Sequence, residues 1–279
     1  MKIKKMLFIV LLSALFSCTD DEIQVTPRFD LLSRQSNFMW ADNLRKEIIT
    51  FGKHSGVSLS VLKSNSGVKL SEYILGFNTC NVGISDIILI KTYYQDYLSS
   101  DNYDPLSSCP YMLLSRKLEM TDKPDTLIEN RLRAYLTKKH TYTQKISDRN
   151  TDPDVIGGPL AEFIDYRLTS LTDLHITCSQ DLFGIKAGST LNDYFVIESY
   201  PNYHDFIISS NKQMVTGKTT GIGIAQYLSY SPMAPAAMYL QFKERMSISE
   251  SVTAEFTVVL TLEGEKTISG TTKPITLTP

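Results

Sequence analysis

Eleven consecutive residues, Val252 to Leu262, alternate without a break. Val252, Ala254, Phe256, Val258, Leu260 and Leu262 fall on one side of the alternation. Thr253, Glu255, Thr257, Val259 and Thr261 fall on the other. A helix would scatter the apolar set around its axis, whereas a strand sends successive side chains to opposite faces. The pattern therefore demands a half-buried antiparallel strand with a mostly polar outer face. Glu263-Gly264-Glu265 supplies a turn, and Thr267 to Thr272 can return as the hairpin partner. Ile275 and Leu277 suggest one more strand. Upstream, Leu174 to Cys178, Tyr203 to Ser209 and Met238 to Phe242 are further candidates, with short helical turns at Leu191–Phe195 and Ile224–Leu228. Several short strands between turn signals predict an antiparallel β-sandwich over residues 160–279.

The first half reads differently. Phe38, Trp40, Leu44, Ile48 and Phe51 fall mostly three to four apart, which predicts a helix ended by Gly52 and Gly56. Val57 to Val61 alternates as a strand would. Leu70–Phe77 and Ser85–Leu98 fit helix or strand, and the run Ile84, Ile87, Ile88, Leu89, Ile90 is apolar on all sides and should be buried. Ser99 to Pro110 is a turn-rich loop, and Leu127, Ile128, Leu132 and Leu136 give Asp122–Leu136 helical spacing. Ser147 to Pro159 packs Asp, Asn, Pro and Gly into a boundary. The expected class is α+β or mainly β: a mixed helical region over 31–147, then the sandwich.

The N-terminus sets an address. Lys2, Lys4 and Lys5 precede an apolar run from Met6 to Phe16, too short for the ~20 residues of a membrane-spanning helix. This layout is that of a secretory signal over residues 1–17. Leu15, Ser17 and Cys18 resemble the lipid-attachment motif of bacterial lipoproteins, in which the cysteine is lipidated and becomes the first mature residue. Phe16 is bulkier than that motif's usual small residue. Two processing routes fit the segment: lipidation at Cys18, or ordinary cleavage near Ser17 that leaves Cys18 as a thiol. Asp20, Asp21 and Glu22 follow within an acidic tether, 18–30. A cysteine with a short acidic cluster resembles the surface-export signal of Bacteroidetes lipoproteins. That resemblance implies an outer-membrane protein facing outward, held to the membrane by its lipid; a merely hydrated tether also explains the acids.

The chain has 279 residues, long enough for one large or two ordinary domains. Loss of three lysines with the signal, from 28 basic against 30 acidic residues, leaves a net charge of −5. The longest basic cluster is Lys138-Lys139-His140, a solvated helix face, so nucleic acid is not an expected partner. Cys80, Cys109 and Cys178 allow three single pairings in an oxidising compartment. Cys80–Cys109 closes the shortest loop; buried free thiols are the alternative. No C-x-x-C pair points to zinc.

Motifs for chemistry are sparse. Gly217-Lys218-Thr219 lacks the glycine five positions earlier that a phosphate loop needs, because position 212 is Lys. It reads as a turn. Asp148, Asn150, Asp152 and Asp154 alternate as calcium ligands do, but Pro153 and Pro159 occupy the positions where the helix–loop–helix pattern needs glycine and glutamate. A solvated linker whose Asp and Asn side chains cap turns explains them better, and no metal or other cofactor is expected. His54, His140, His175 and His204 are dispersed, without an H-E-x-x-H pair or a G-x-S-x-G turn. His204 with Asp205, or His175, leaves a secreted hydrolase as one reading.

Eleven of the 15 tyrosines form three groups. Tyr93, Tyr94, Tyr97, Tyr103 and Tyr111 make one; Tyr194, Tyr200 and Tyr203 a second; Tyr227, Tyr230 and Tyr239 a third. Amphipathic rings suit a glycan or a surface protein as ligand, and the second group is the candidate contact. Strand propensity alone also enriches tyrosine. Residues 174–197 (LHITCSQDLFGIKAGSTLNDYFVI), 231–242 (SPMAPAAMYLQF) and 253–278 together resemble uncharacterised lipoproteins of Bacteroidales that carry a domain of unknown function. The resemblance implies no catalytic or ligand residues. The expectation is a non-catalytic binding or structural module at the cell surface. A glycan-binding accessory lipoprotein of a polysaccharide-uptake system and a secreted hydrolase are its rivals.

Overall fold

The computed structural model describes residues 22–26, 29–51, 54–81, 122–145, 162–198, 206–217 and 219–279. In chain order the elements are β1 (Glu22–Val25), β2 (Phe29–Arg34), β3 (Phe38–Phe51), β4 (His54–Val61), β5 (Gly67–Lys69), β6 (Tyr73–Cys80), α1 (Thr126–His140), β7 (Tyr142–Lys145), β8 (Glu162–Arg167) and β9 (Leu171–Cys178). There follow β10 (Phe195–Glu198), β11 (Phe206–Ile208), β12 (Met214–Thr216), β13 (Ile222–Gly223), α2 (Ile224–Ser229), β14 (Ala237–Phe242), β15 (Val252–Ala254), β16 (Phe256–Leu262), β17 (Thr267–Thr271) and β18 (Ile275–Thr278). The protein is mainly β, with mostly antiparallel pairing.

Two compact units divide the chain. One comprises Met1–Asp30 and Arg131–Ile164. In it β1 pairs antiparallel with β7, Glu22 opposite Lys145, so part of the expected tether is a paired strand. The Thr26 and Thr141 hydroxyls meet at 2.9 Å, and Arg133 donates to the Phe29 carbonyl at 3.0 Å. Leu132 and Leu136, one turn apart on α1, are both buried.

The other unit, Leu31–Asn130 and Asp165–Pro279, holds the main core. Its largest sheet runs in the order β13-β10-β14-β6-β3-β4. β6 of the first half thus pairs with β14 of the second, Leu75 opposite Leu240. The expected partition near 147–160 is crossed by this ladder. Two three-stranded sheets, β17-β16-β9 and β15-β18-β5, contribute to the same core. The alternating segment splits at Glu255 into β15 and β16, and β16 buries Phe256, Val258, Leu260 and Leu262 as its pattern requires. Phe256 meets the rings of Tyr73, Phe195 and Phe242 at 5.3, 6.3 and 6.1 Å, and Phe195 stacks on Phe242 at 4.4 Å.

The expected helix over Phe38–Phe51 is a strand. The spacing of Phe38, Trp40, Leu44 and Ile48 is all even, so it satisfies the strand period as well as the helical one. Long-range pairing decides: β3 lies between β6 and β4, with Leu44 opposite both Ile74 and Val61. Its two faces serve two clusters. Ala41 points into the main core, while Leu44 joins Leu59, Ile74 and Tyr239 on the opposite face. Residues 84–98 and 99–110 lie outside the described residues; Leu70–Phe77 resolves as a turn leading into strand β6.

Candidate functional site

Three arrangements among the described residues bear on function. The first is the sheet face opposite the main core. Strand alternation puts Phe38, Ile48, Val57 and Val61 on the same face as the Leu44 cluster, with Ile48 directly opposite Val57. These four side chains are 46%, 75%, 41% and 45% exposed. Ile48, Val57 and Val61 neighbour one another across β3 and β4, an apolar patch open to water of the kind that marks an interaction site, whereas Phe38 stands apart opposite Cys80. Among the described residues β4 is also the outermost strand of its sheet.

The second is an aromatic pair. Leu182 and Ile185 exchange backbone hydrogen bonds across Phe183-Gly184, a two-residue turn in which φ is 53° at Phe183 and 78° at Gly184. Glycine accepts that geometry freely; a bulky ring there is held against its own backbone preference. Phe183 stacks on Tyr194 at 5.2 Å and meets the edge of Phe242 at the same distance, which offsets that strain. Both Phe183 and Tyr194 are half-buried. Asp181 anchors the loop, accepting from Lys186 at 2.6 Å and from the Ala187 N–H at 2.9 Å. Those two donors hold its carboxyl below the usual carboxylate range.

The third is a buried polar network. Arg34, 1% exposed, pairs with Asp165 at 3.0 Å. Arg167 donates to both the Thr79 hydroxyl and the Thr79 carbonyl. Thr79 in turn donates to the Pro235 carbonyl at 2.6 Å. The Ser36 N–H donates to the Thr169 hydroxyl, and that hydroxyl donates to Gln35 at 2.8 Å. The network ties the segment after β2 and the end of β8 to β6 and to the loop before β14.

Of the residues singled out from the sequence, Tyr194 is placed as above. Tyr200, Tyr203, Cys18, Asp20, Asp21, Cys109, Asp148, Asn150, Asp152, Asp154 and His204 lie outside the described residues. Glu22 begins β1. Cys80 is fully buried at the end of β6. Cys178 is a buried thiol, and burial pushes its pKa up. His175 Nε2 lies 2.8 Å from Asp173 Oδ2, with both side chains about half exposed, on the outer face of β9. The residue facing His175 across the ladder is Val259. Tyr227 and Tyr239 are buried and Tyr230 half-buried, so the third tyrosine group is largely packing. Among the described residues no group of three or more His, Cys, Asp or Glu is arranged to hold a metal. No described helix is long and apolar enough to cross a membrane. Sequence reasoning missed Phe183; its only signal was the Phe-Gly dipeptide between two apolar residues.

No family model, curated protein or solved structure matches the chain.

Proposed function

We propose that this is a lipid-anchored, outward-facing protein of the bacterial outer membrane, related to the Bacteroidales lipoproteins it resembles, that works by binding or assembly rather than by catalysis. The observation that carries the binding role is the open apolar patch of Ile48, Val57 and Val61. Three apolar side chains exposed side by side cost solvation unless a partner covers them. Anchoring rests on the signal-like N-terminus and Cys18, and outward display on Asp20, Asp21 and Glu22. The body is read as a β-sandwich, supported by the aromatic core that β6, β10 and β14 share with β16. Labelled palmitate supplied to cells should enter the wild-type chain and not the Cys18→Ala variant. Protease added to intact cells should digest the wild type. Label in Cys18→Ala, or full protection of the wild type, counts against the reading.

A glycan-binding role has its own observation, the Phe183–Tyr194 stack beside a loop fixed by Asp181. A sugar ring would pack on the accessible part of that stack. Retention on a polysaccharide affinity gel, weakened by Phe183→Ala or Tyr194→Ala, is the expected result; equal elution of all three proteins removes this role.

A further inference from the structure

We propose that the C-terminal half of α1 and the β1–β7 ribbon form a basic contact for the phosphate groups of the membrane that carries the Cys18 lipid. This rests on the anchoring read above and gives that anchor an orientation. From Asn130 to Ser147 the chain holds Arg131, Arg133, Lys138, Lys139 and Lys145, and no Asp or Glu. Basic residues in a last turn complement the helix dipole, which accounts for Lys138, Lys139 and His140. It does not account for Arg131 and Arg133 in earlier turns, or for Lys145 beyond the helix. Arg131, Tyr135 and Lys138 fall three to four apart and share one face of α1, beside the buried Leu132 and Leu136. Lys138 and Lys139 are exposed, and Lys139 Nζ lies 6.0 Å from the centre of the Tyr135 ring. Basic side chains beside an amphipathic ring suit a helix that lies against a membrane interface.

Chain length keeps this surface close to the anchor. Cys18 lies four residues before Glu22, the first residue of β1, a reach of at most about 14 Å. The β1–β7 ribbon adds about 10 Å. At its far end the hydroxyl of Thr141, the residue after α1, meets that of Thr26 at 2.9 Å, and the His140 ring packs edge-on against Phe29 at 5.7 Å. The end of α1 therefore stays within about 30 Å of the lipid. A charged surface is felt over a Debye length, about 10 Å at 0.1 M salt, so the ribbon must lie along the membrane for these lysines to act. Charge at both ends of the ribbon favours that pose. Lys145 stands opposite Glu22 at the anchored end, and Lys138 and Lys139 stand at the other. Asp20, Asp21, Glu22 and Asp30 oppose the contact from the N-terminal side, against Arg28 and the basic run of residues 131–145. The lipid fixes how far the body can stray; the basic surface fixes which side of it meets the phosphates.

The test uses the processed chain, residues 18–279, carrying Cys18→Ala so that no lipid contributes to binding. At low salt it should co-sediment with vesicles of phosphatidylcholine containing about a third phosphatidylglycerol, and not with vesicles of phosphatidylcholine alone. Salt at about 0.5 M should release it. Lys138→Gln with Lys139→Gln should weaken binding by about fivefold per lysine, with the thermal midpoint close to that of the parent chain, because both side chains are exposed. Lys63→Gln with Lys69→Gln removes the same charge from exposed sites in the other unit and should leave binding unchanged. Equal binding to both vesicles overturns the proposal, as does a Lys138–Lys139 variant that binds like the parent. A Lys63–Lys69 variant that weakens as much shows that net charge alone acts, and overturns it too. So does a chain that binds a soluble sulfated polysaccharide but no vesicle. Palmitate labelling at Cys18 and surface protease digestion stand or fall separately, so failure of the contact is distinguishable from failure of the anchor.

Discussion

Asp125 shows how much one side chain can hold at the start of a helix. Its Oδ1 accepts from the N–H groups of Leu127 and Ile128, at 3.0 and 3.2 Å, and so caps α1. Its Oδ2 meets Lys212 Nζ at 2.7 Å. The Lys212 hydrogen bond, with help from the two N–H groups, holds its carboxyl below the ordinary carboxylate range. A depressed folded value means that the ionised form stabilises the fold at neutral pH. That contribution is present above the unfolded pKa and is lost as pH falls through the folded one. Asp125→Ala should cost about 1–2 kcal/mol at neutral pH in a denaturant titration. Asp125→Asn should cost less, because the amide still caps, and both variants should lose stability less steeply below about pH 4 than the wild type. Arg34 and Asp165 make a different case. Removing one partner leaves a buried charge uncompensated, so Arg34→Ala should cost about 3–5 kcal/mol. Replacing both, as Arg34→Met with Asp165→Leu, should recover most of that loss. A double variant no more stable than Arg34→Ala would show that the rest of the network, not the pair, carries the cost.

At the scale of elements, β3 meets β17 so closely that a side chain does not fit between them. A Cβ on Gly270 would lie 2.9 Å from the Ala41 nitrogen and 3.0 Å from the Trp40 carbonyl carbon. Backbone cannot swing aside as a side-chain tip can, so Gly270→Ala should destabilise by about 1–3 kcal/mol in thermal or denaturant melts. An unchanged midpoint would mean that the two strands separate readily. The same elements show what local pattern can and cannot convey. The period-2 run of β16, the turn at Glu263–Glu265 and the return of β17 were legible, because hairpin neighbours write their pairing into adjacent sequence. The helix Thr126–His140 was legible from Leu132 and Leu136. β3 was not: its even-spaced apolar residues serve two periods equally, and only β6 and β4 choose between them. The open apolar patch of the candidate site was hidden by that same ambiguity, since helical spacing would have turned Ile48 inward. Phe183 was hidden because a left-handed ring is compensated by Tyr194 and Phe242, contacts that no local pattern records.

For the whole molecule, the composition shift near residues 147–160 reads as a border between halves, yet the main core is assembled from both. β6 and β14 lie side by side, and the ring of Tyr73 packs against Phe242 and Phe256. Tyr73 also donates to Asn43 at 2.8 Å, and Asn43 reaches the Lys273 carbonyl at 2.6 Å. These long-range ties place the exposed face of β3 and β4 on a scaffold that the second half completes. The open apolar patch, and the binding role proposed for it, therefore depend on an undivided core. Expression of residues 160–279 alone tests this most directly. Without β6 and β3, strands β10 and β14 lose the centre of their sheet, and Phe195, Phe242 and Phe256 lose the Tyr73 ring. The fragment should show no cooperative thermal transition and a poorly dispersed amide spectrum. A sharp melt with well-dispersed amides would contradict the account, because it would make the second half a domain in its own right and the β3–β4 face an attachment to it.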